Sequence, residues 1–250
     1  LYTGKIVNFI ESSDHSFKTQ IEEPFVSIPI PIDKHKTVEE SLKLILTPQH
    51  LFGNNQYTKP DGSKIDAESH QKIVESPPIL IIQLARFKYN QSTKSREKIN
   101  SMFEIPDKID ISDLLLNNKG ESNSNYTLNG VVVHRGDGNH GHYISYIKNP
   151  NYKEEKEGRR SAFSNPSYKW LRFDDIDVSE VDEKSFENES FGIDSTGMSS
   201  GYLLFYLSDN YKQEIPLLSK EKVQFSSELS LLINKDNELY LMEKSAFTSS

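Results

Sequence analysis

The chain has 250 residues, 35% of them hydrophobic and 26% charged, with a net charge of −8. That balance argues against a nucleic-acid binder, which needs a basic face, and suits a basic partner. The absence of cysteine excludes disulfides and cysteine-based zinc sites within this piece, and no apolar run approaches the roughly 18 residues of a membrane span.

The start, Leu1-Tyr-Thr-Gly-Lys5, lacks a Met and reads as a cut inside a longer protein. Residues 5–10 form a strand pattern. Residues 25–32 alternate with period 2, but Pro29 and Pro31 put them on a sheet edge or in an extended arm. Thr37-Val-Glu-Glu40 is a capping box. Val38, Leu42 and Ile45 then share a helical face, and Pro48 ends the helix.

Residues 53–70 are polar and turn-rich, with Pro60-Asp-Gly62 at their centre. The continuous apolar run 79–84 after Pro77-Pro78 predicts a buried strand. Residues 88–98 read as a polar loop, 109–116 as a short helical turn and 117–125 as a loop. Residues 126–134 and 142–147 predict an antiparallel hairpin around a glycine loop. A charged loop follows at 149–168, then strands at 170–173 and 202–207. Beyond residue 208, the runs 229–233 and 238–242 around Asn234-Lys-Asp-Asn237 predict a further hairpin in an unassigned extension, 209–250. The whole reads as α+β, with strands dominating its second half.

The chemistry concentrates in Gly138-Asn-His-Gly-His142 and in Asp174-Asp175. Imidazole serves as a general base near neutral pH, and a carboxylate on Nδ1 would fix its tautomer. Flanking glycines would let a substrate backbone approach closely. By spacing alone other readings stand beside this one. His134, His140 and His142 could share a metal. His134 could be a hydrogen-bonded core residue. Asp174-Asp175 could be a turn or cap pair.

The order of segments resembles the ubiquitin-specific protease family. Its pieces run from Leu1-Tyr-Thr-Gly-Lys5 through Pro24-Phe25, Thr37 to Leu42 and Gly53-Asn-Asn-Gln-Tyr57. They continue with Pro77 to Phe87, Lys98-Ile-Asn100, Phe103-Glu-Ile-Pro106 and Tyr126 to His134. Gly141-His-Tyr143, Trp170-Leu-Arg-Phe-Asp-Asp175 and Tyr202 to Tyr206 complete the set. The chain is most similar to the branch typified by the herpesvirus-associated member. Ala85, Gly201 and a long loop at 149–169 depart from the family pattern.

The resemblance implies a papain-like cysteine protease fold over residues 1–208. This piece would hold the fingers and palm, while the thumb with its cysteine would lie upstream. It implies a deubiquitinase in which His142 is the base, Asp174 its orienting carboxylate and Asp175 a support. Gln83, Phe87, His134, Gly141 and Tyr143 would shape a channel for the Arg-bearing, Gly-Gly-ended ubiquitin tail. Residues 88–98 and 134–141 would be mobile loops over it. Ubiquitin and ubiquitinated proteins would be the partners, in cytoplasm or nucleus, with no cofactor, metal, nucleic acid or membrane involved. An inactive ubiquitin-binding scaffold is the alternative, because the cysteine is missing.

Overall fold

The computed structural model describes residues 1–117, 124–150, 152, 168–194, 196–211 and 226–248, with side chains as far as residue 242 in the last stretch. The chain divides into two compact units, Leu1–Lys212 and Gln213–Ser250. Most of the charged loop expected at 149–168, and most of the loop at 117–125, lie outside the described residues.

In the first unit, strands β1 (Gly4–Ser12), β2 (Lys18–Phe25) and β3 (Ser27–Ile30) come first. Helix α1 (Val38–Leu42) follows, and Thr37 Oγ1 accepts from Glu40 N at 3.2 Å to cap it. Glu40 closes its side of the cap on Lys36 N at 2.8 Å rather than on Thr37. The helix tightens to a 3-10 turn at Lys43–Leu46, so it is shorter than its apolar spacing suggests. Short strands β4 (Gln49–Leu51), β5 (Tyr57–Thr58) and β6 (Lys64–Ile65) lead to β7 (Ala67–Glu75). β1, β2, β4 and β7 form one antiparallel sheet in the order β2-β1-β7-β4. β7 carries few apolar residues in alternation, which is why its sequence shows no strand pattern.

The larger sheet takes β3 and, beside it, β8 (Ile79–Leu84). Next comes a hairpin of β9 (Phe87–Asn90) and β10 (Ser95–Lys98), where a loop was expected. Asn90 Oδ1 accepts from Ser92 N at 2.9 Å and turns the chain, a local signal that outweighs the polar composition. β11 (Lys108–Asp110) and a 3-10 turn at Ser112–Leu114 occupy the expected helical stretch. β12 (Asn125–Gly136) and β13 (Gly141–Lys148) pair antiparallel as expected. β14 (Trp170–Asp174), β15 (Asp177–Val181), α2 (Glu183–Phe191) and β16 (Ser199–Ser208) complete the unit. The sheet runs β15-β14-β13-β12-β16-β8-β3, with β11 also paired to β12. β3 is indeed an edge strand, so its Pro29 needs no partner on the open side, and Pro31 follows just beyond it.

One face of this sheet is covered. Leu80, Ile82, Val131, Val133, Tyr146, Trp170, Leu204 and Tyr206 are buried there, with α1 and α2 packed on them. Trp170 and Phe186 stack with ring centroids 4.0 Å apart and 11° between planes, which seats α2 on β14. Asp182 Oδ1 caps α2 by accepting from Ser185 N at 2.8 Å, and Gly192 ends it at φ 83°. Among the described residues the other face stays uncovered. A shallow apolar cavity of about 300 Å³ lies on it, lined by Tyr2, Ile79, Val132, Ile147 and Phe205 among others.

Arg86 is fully buried without a carboxylate partner in its hydrogen bonds. It donates to Gly201 O at 2.7 Å, Ile99 O at 2.8 Å and Ser101 O at 3.1 Å, and burial pushes its pKa down to about 10.

The second unit contains a single described helix, α3 (Ser227–Thr248), which replaces the hairpin expected at 229–242. Ser226 Oγ accepts from Leu229 N at 3.2 Å and starts it. Asn234-Lys-Asp-Asn237 has no glycine for a tight primed turn, and the flanking Leu, Glu, Lys and Met favour helix. Among the described residues no helix is long and apolar enough to cross a membrane.

Removing a ring from the Trp170–Phe186 stack should be costly. Phe186→Ala is expected to lose about 3–5 kcal/mol of stability in denaturant unfolding. Ile21→Ala, on the exposed β2, should stay within about 0.5 kcal/mol of wild type.

Candidate active site

The register of three strands assembles the site. Arg135 of β12 faces His142 of β13, and Tyr146 of β13 faces Arg172 of β14. Alternation then puts Arg135, His142, Tyr146, Arg172 and Asp174 on one side of the sheet. His142 stands at the open end of that side, its side chain 44% exposed.

His142 Nε2 lies 2.6 Å from Asp174 Oδ1. An ionised carboxylate only accepts, so Nε2 carries the proton and Nδ1 keeps its lone pair. The carboxylate therefore takes the nitrogen opposite to the Nδ1 expected. Asp174 reaches the ring from the end of β14, the strand paired with β13. The hydrogen bond from His142 holds the Asp174 carboxyl below its ordinary pKa, and the Arg172 charge adds to this.

Asp175 plays a different part. Its Oδ2 lies 3.9 Å from His142 Nε2, beyond hydrogen-bond reach. At φ 52° it occupies the left-handed position of the two-residue turn joining β14 to β15. The pair is thus split: Asp174 meets the histidine and Asp175 turns the chain.

The remaining expected site residues gather on the opposite face. His134 pairs across from Tyr143, and their rings meet at 5.0 Å between centroids. Phe87 stands edge-on to His134 at 5.2 Å and to Tyr202 at 5.7 Å. Gln83 Nε2 donates to Tyr202 Oη at 3.1 Å. Tyr202 belongs to this group and had not been singled out by sequence reasoning.

His134 is buried, and burial followed by the Lys98 charge pushes its pKa down. Its Nδ1 has no hydrogen-bond partner among the described residues, so it is a packed ring more than a hydrogen-bonded one. Packing also explains the glycines. A Cβ on Gly141 would sit 2.1 Å from His134 Nε2 and 2.7 Å from Arg135 O. A Cβ on Gly138 would sit 2.3 Å from Arg96 O. Both positions are thus already crowded by this chain's own atoms, which accounts for glycine without a substrate backbone. Asp137 Oδ1 ties the loop by accepting from Asn139 N at 2.7 Å and His140 N at 2.8 Å.

Lys98 was passed over as a functional residue. Its Nζ donates to His134 O at 2.8 Å, to Gly136 O at 3.1 Å and to Met198 O, fastening the hairpin β9–β10 to the ends of β12 and β16. Burial, with the nearby Arg86 charge, lowers its pKa to about 8. Arg172 was also missed; its Nη2 donates to Asp174 Oδ2 at 2.6 Å. Its one signal was its place two residues before Asp174, on the same strand face.

A metal fits poorly. His142, Asp174 and Asp175 present atoms within 4.8 Å of one another, whereas His134 and His140 belong to no such group among the described residues. Yet Arg172 and Arg135 already face Asp174, the second at 3.7 Å, so a cation would meet like charge. The arrangement instead suits proton transfer by an oriented imidazole.

The family model for ubiquitin carboxyl-terminal hydrolase matches residues 8–206. The chain is similar to ubiquitin carboxyl-terminal hydrolase 7 of Caenorhabditis elegans, at 32% identity over 212 residues. That match covers 84% of this chain and 18% of the relative. Ubiquitin carboxyl-terminal hydrolase 15 of Saccharomyces cerevisiae is 29% identical over 204 residues, covering 78% of this chain and 15% of the relative. Ubiquitin carboxyl-terminal hydrolase 34 of Homo sapiens is 28% identical over 287 residues, covering 99% of this chain and 8% of the relative. The chain therefore spans less than a fifth of the length of these relatives.

Two outcomes test this geometry. Gly141→Ala should cost about 1–3 kcal/mol, because its Cβ collides with a backbone carbonyl as well as a ring. The Asp174 carboxyl titrates lower when folded than when unfolded. Its stabilisation is therefore present above about pH 3.9, the unfolded value, and is lost as pH falls through the folded value. His142→Ala removes the larger hold and should raise the Asp174 pKa, read by carbon-13 carboxyl titration. That variant should then lose less stability than wild type on acidification.

Proposed function

The chain belongs to the ubiquitin carboxyl-terminal hydrolase family, and on that footing we propose that it is the base-bearing part of a ubiquitin-specific thiol protease. The observation that carries this is the His142 Nε2–Asp174 Oδ1 contact of 2.6 Å, which leaves Nδ1 without a partner among the described residues at an exposed edge. A base of this kind is poised to serve a thiol.

The chain contains no cysteine, so the nucleophile comes from a segment outside it. We place that segment before Leu1, approaching the exposed end of the sheet where His142 Nδ1 is open. Residues 1–208 would then be the fingers and palm of a papain-like fold, within the branch typified by the herpesvirus-associated member.

In the complete enzyme Nδ1 would hold the thiol proton, leaving a thiolate–imidazolium pair. The thiolate attacks the carbonyl carbon of ubiquitin's terminal glycine. As the C–N bond breaks, His142 gives its Nδ1 proton to the departing lysine amine. A water then attacks the thioester, His142 takes its proton, and the thiolate leaves. Asp174 stabilises the imidazolium and keeps the ring's orientation throughout. The aromatic group of Phe87, His134, Tyr143 and Tyr202 would line the path of the glycine-ended tail. Ubiquitin and ubiquitinated proteins would be its partners, in cytoplasm or nucleus.

The absent cysteine favours a second reading, an inactive ubiquitin-binding scaffold. A ubiquitin–aminocoumarin assay separates the two. The 250-residue chain alone should release no fluorophore. The longer protein should be active, and His142→Ala should reduce its kcat by about 10²–10⁴-fold. His140→Ala should leave it close to wild type. A longer protein that binds ubiquitin yet never turns it over would establish the scaffold instead.

A further inference from the structure

We propose that Arg172, backed by Arg135 and anchored by Glu189, is a positioning residue that locks the Asp174 carboxylate in the orientation His142 needs. The proposal deepens the reading of His142 and Asp174 as base and orienting carboxylate, and rests on it.

Asp174 is held at both oxygens. Oδ1 takes His142 Nε2 at 2.6 Å, while Oδ2 takes Arg172 Nη2 at 2.6 Å and lies 3.7 Å from Arg135 Nη1. A carboxylate gripped at one oxygen swings freely about its last, soft torsion. Gripped at both, it cannot turn without breaking a charge-assisted hydrogen bond. The Asp174–Asp175 pair makes this hold necessary. Asp174 ends its strand, and the chain turns sharply at Asp175, so backbone pairing beyond it is confined to the narrow β14–β15 hairpin.

The guanidiniums are themselves located from the far side. Glu189 Oε2 lies 3.8 Å from Arg172 Nε, and Oε1 lies 4.0 Å from Arg135 Nη2. These spacings are too long for hydrogen bonds, so the attraction is coulombic. It is poorly screened, because Glu189 is only 23% exposed and Arg172 only 19%. Glu189 sits on α2, which the Phe186–Trp170 stack and the Asp182 cap hold against the sheet. A packed helix thus fixes an acid, the acid fixes two bases, and the bases fix the carboxylate.

Arg172 is also the cross-strand neighbour of buried Tyr146, whose hydroxyl burial and the Glu189 charge keep protonated. The titratable and charged groups around Asp174 are therefore His142 and Tyr146 from β13, Arg135 from β12, Arg172 from β14, Glu189 from α2, and Asp175 and Asp177 beyond the strand end. An ordinary surface ion pair, such as Lys148–Asp107 at 2.7 Å, has no such link to the histidine.

Nuclear magnetic resonance on the 250-residue chain tests this without any turnover, so its result is independent of whether the longer protein is a hydrolase. Two signals matter: the His142 Nε2 proton, whose exchange the bond to Asp174 is expected to slow, and the Asp174 carboxyl titration. Arg172→Met should erase the protected proton and raise the Asp174 midpoint. Arg172→Lys, which keeps a charged donor, should restore the proton at least in part. Lys148→Met should leave both signals as in wild type. Should Arg172→Met fail to fold, Arg135→Met carries the test, shifting both signals in the same direction by less, and Glu189→Gln should weaken the protected proton without raising the Asp174 midpoint. A folded Arg172→Met with both signals at wild-type positions would overturn the proposal. So would equal loss in Arg172→Lys, which would make Arg172 a packing residue only.

Discussion

The pairing of β13 with β14 is the constraint on which the site depends. Tyr146 opposite Arg172 fixes the register, and the register places Asp174 on the same side as His142. A slip by one residue would turn every one of these side chains to the other face. The slip is resisted by burial, since Ile144, Tyr146 and Trp170 would leave the core together. The energy that orients the His142–Asp174 pair is therefore mostly hydrophobic and is stored away from it.

Charge then refines what packing positions. Cations in this region are bound by two kinds of partner. Arg86 and Lys98 donate to backbone carbonyls and join segments that share no ladder, the β9–β10 hairpin to the ends of β12 and β16. Arg172 and Arg135 face carboxylates instead, alternating with Asp174 and Glu189. The first set shapes the aromatic side, where His134, Tyr143, Phe87 and Tyr202 meet. The second set serves the opposite side, where the proton would move. One sheet thus supports two different environments a single residue apart, at His142 and Tyr143.

The glycine loop illustrates how motif and cause can separate. Gly138 and Gly141 read naturally as openings for a substrate. In the fold they are close contacts with Arg96 O and His134, so their smallness lets the loop close on its own protein. The uncovered apolar face is the converse case. Nothing in alternating runs such as 126–134 says which side will find a partner, yet among the described residues one side is packed by helices and the other stays open around Val132, Ile147 and Phe205.

Much was legible in the sequence. Strands with strong apolar patterning, at 79–84, 126–134, 142–147 and 202–207, were visible because burial demands that pattern. The ordered segments around His142 and Asp174 marked the family and the pair. Strands β7, β9, β10 and β15 were not visible, because exposed or two-sided polar strands leave little hydrophobic trace. The helix at Ser227–Thr248 was misread because apolar runs split by four polar residues suit either structure. The sequence by itself determined the residue types, the order of the core strands along the chain and the presence of His142 and Asp174. Only the tertiary structure decided that Nε2 meets Asp174, that Asp175 is a turn, and that Arg172 and Glu189 stand behind the carboxylate. Those outcomes depend on register and on contacts between distant segments, which no local pattern encodes.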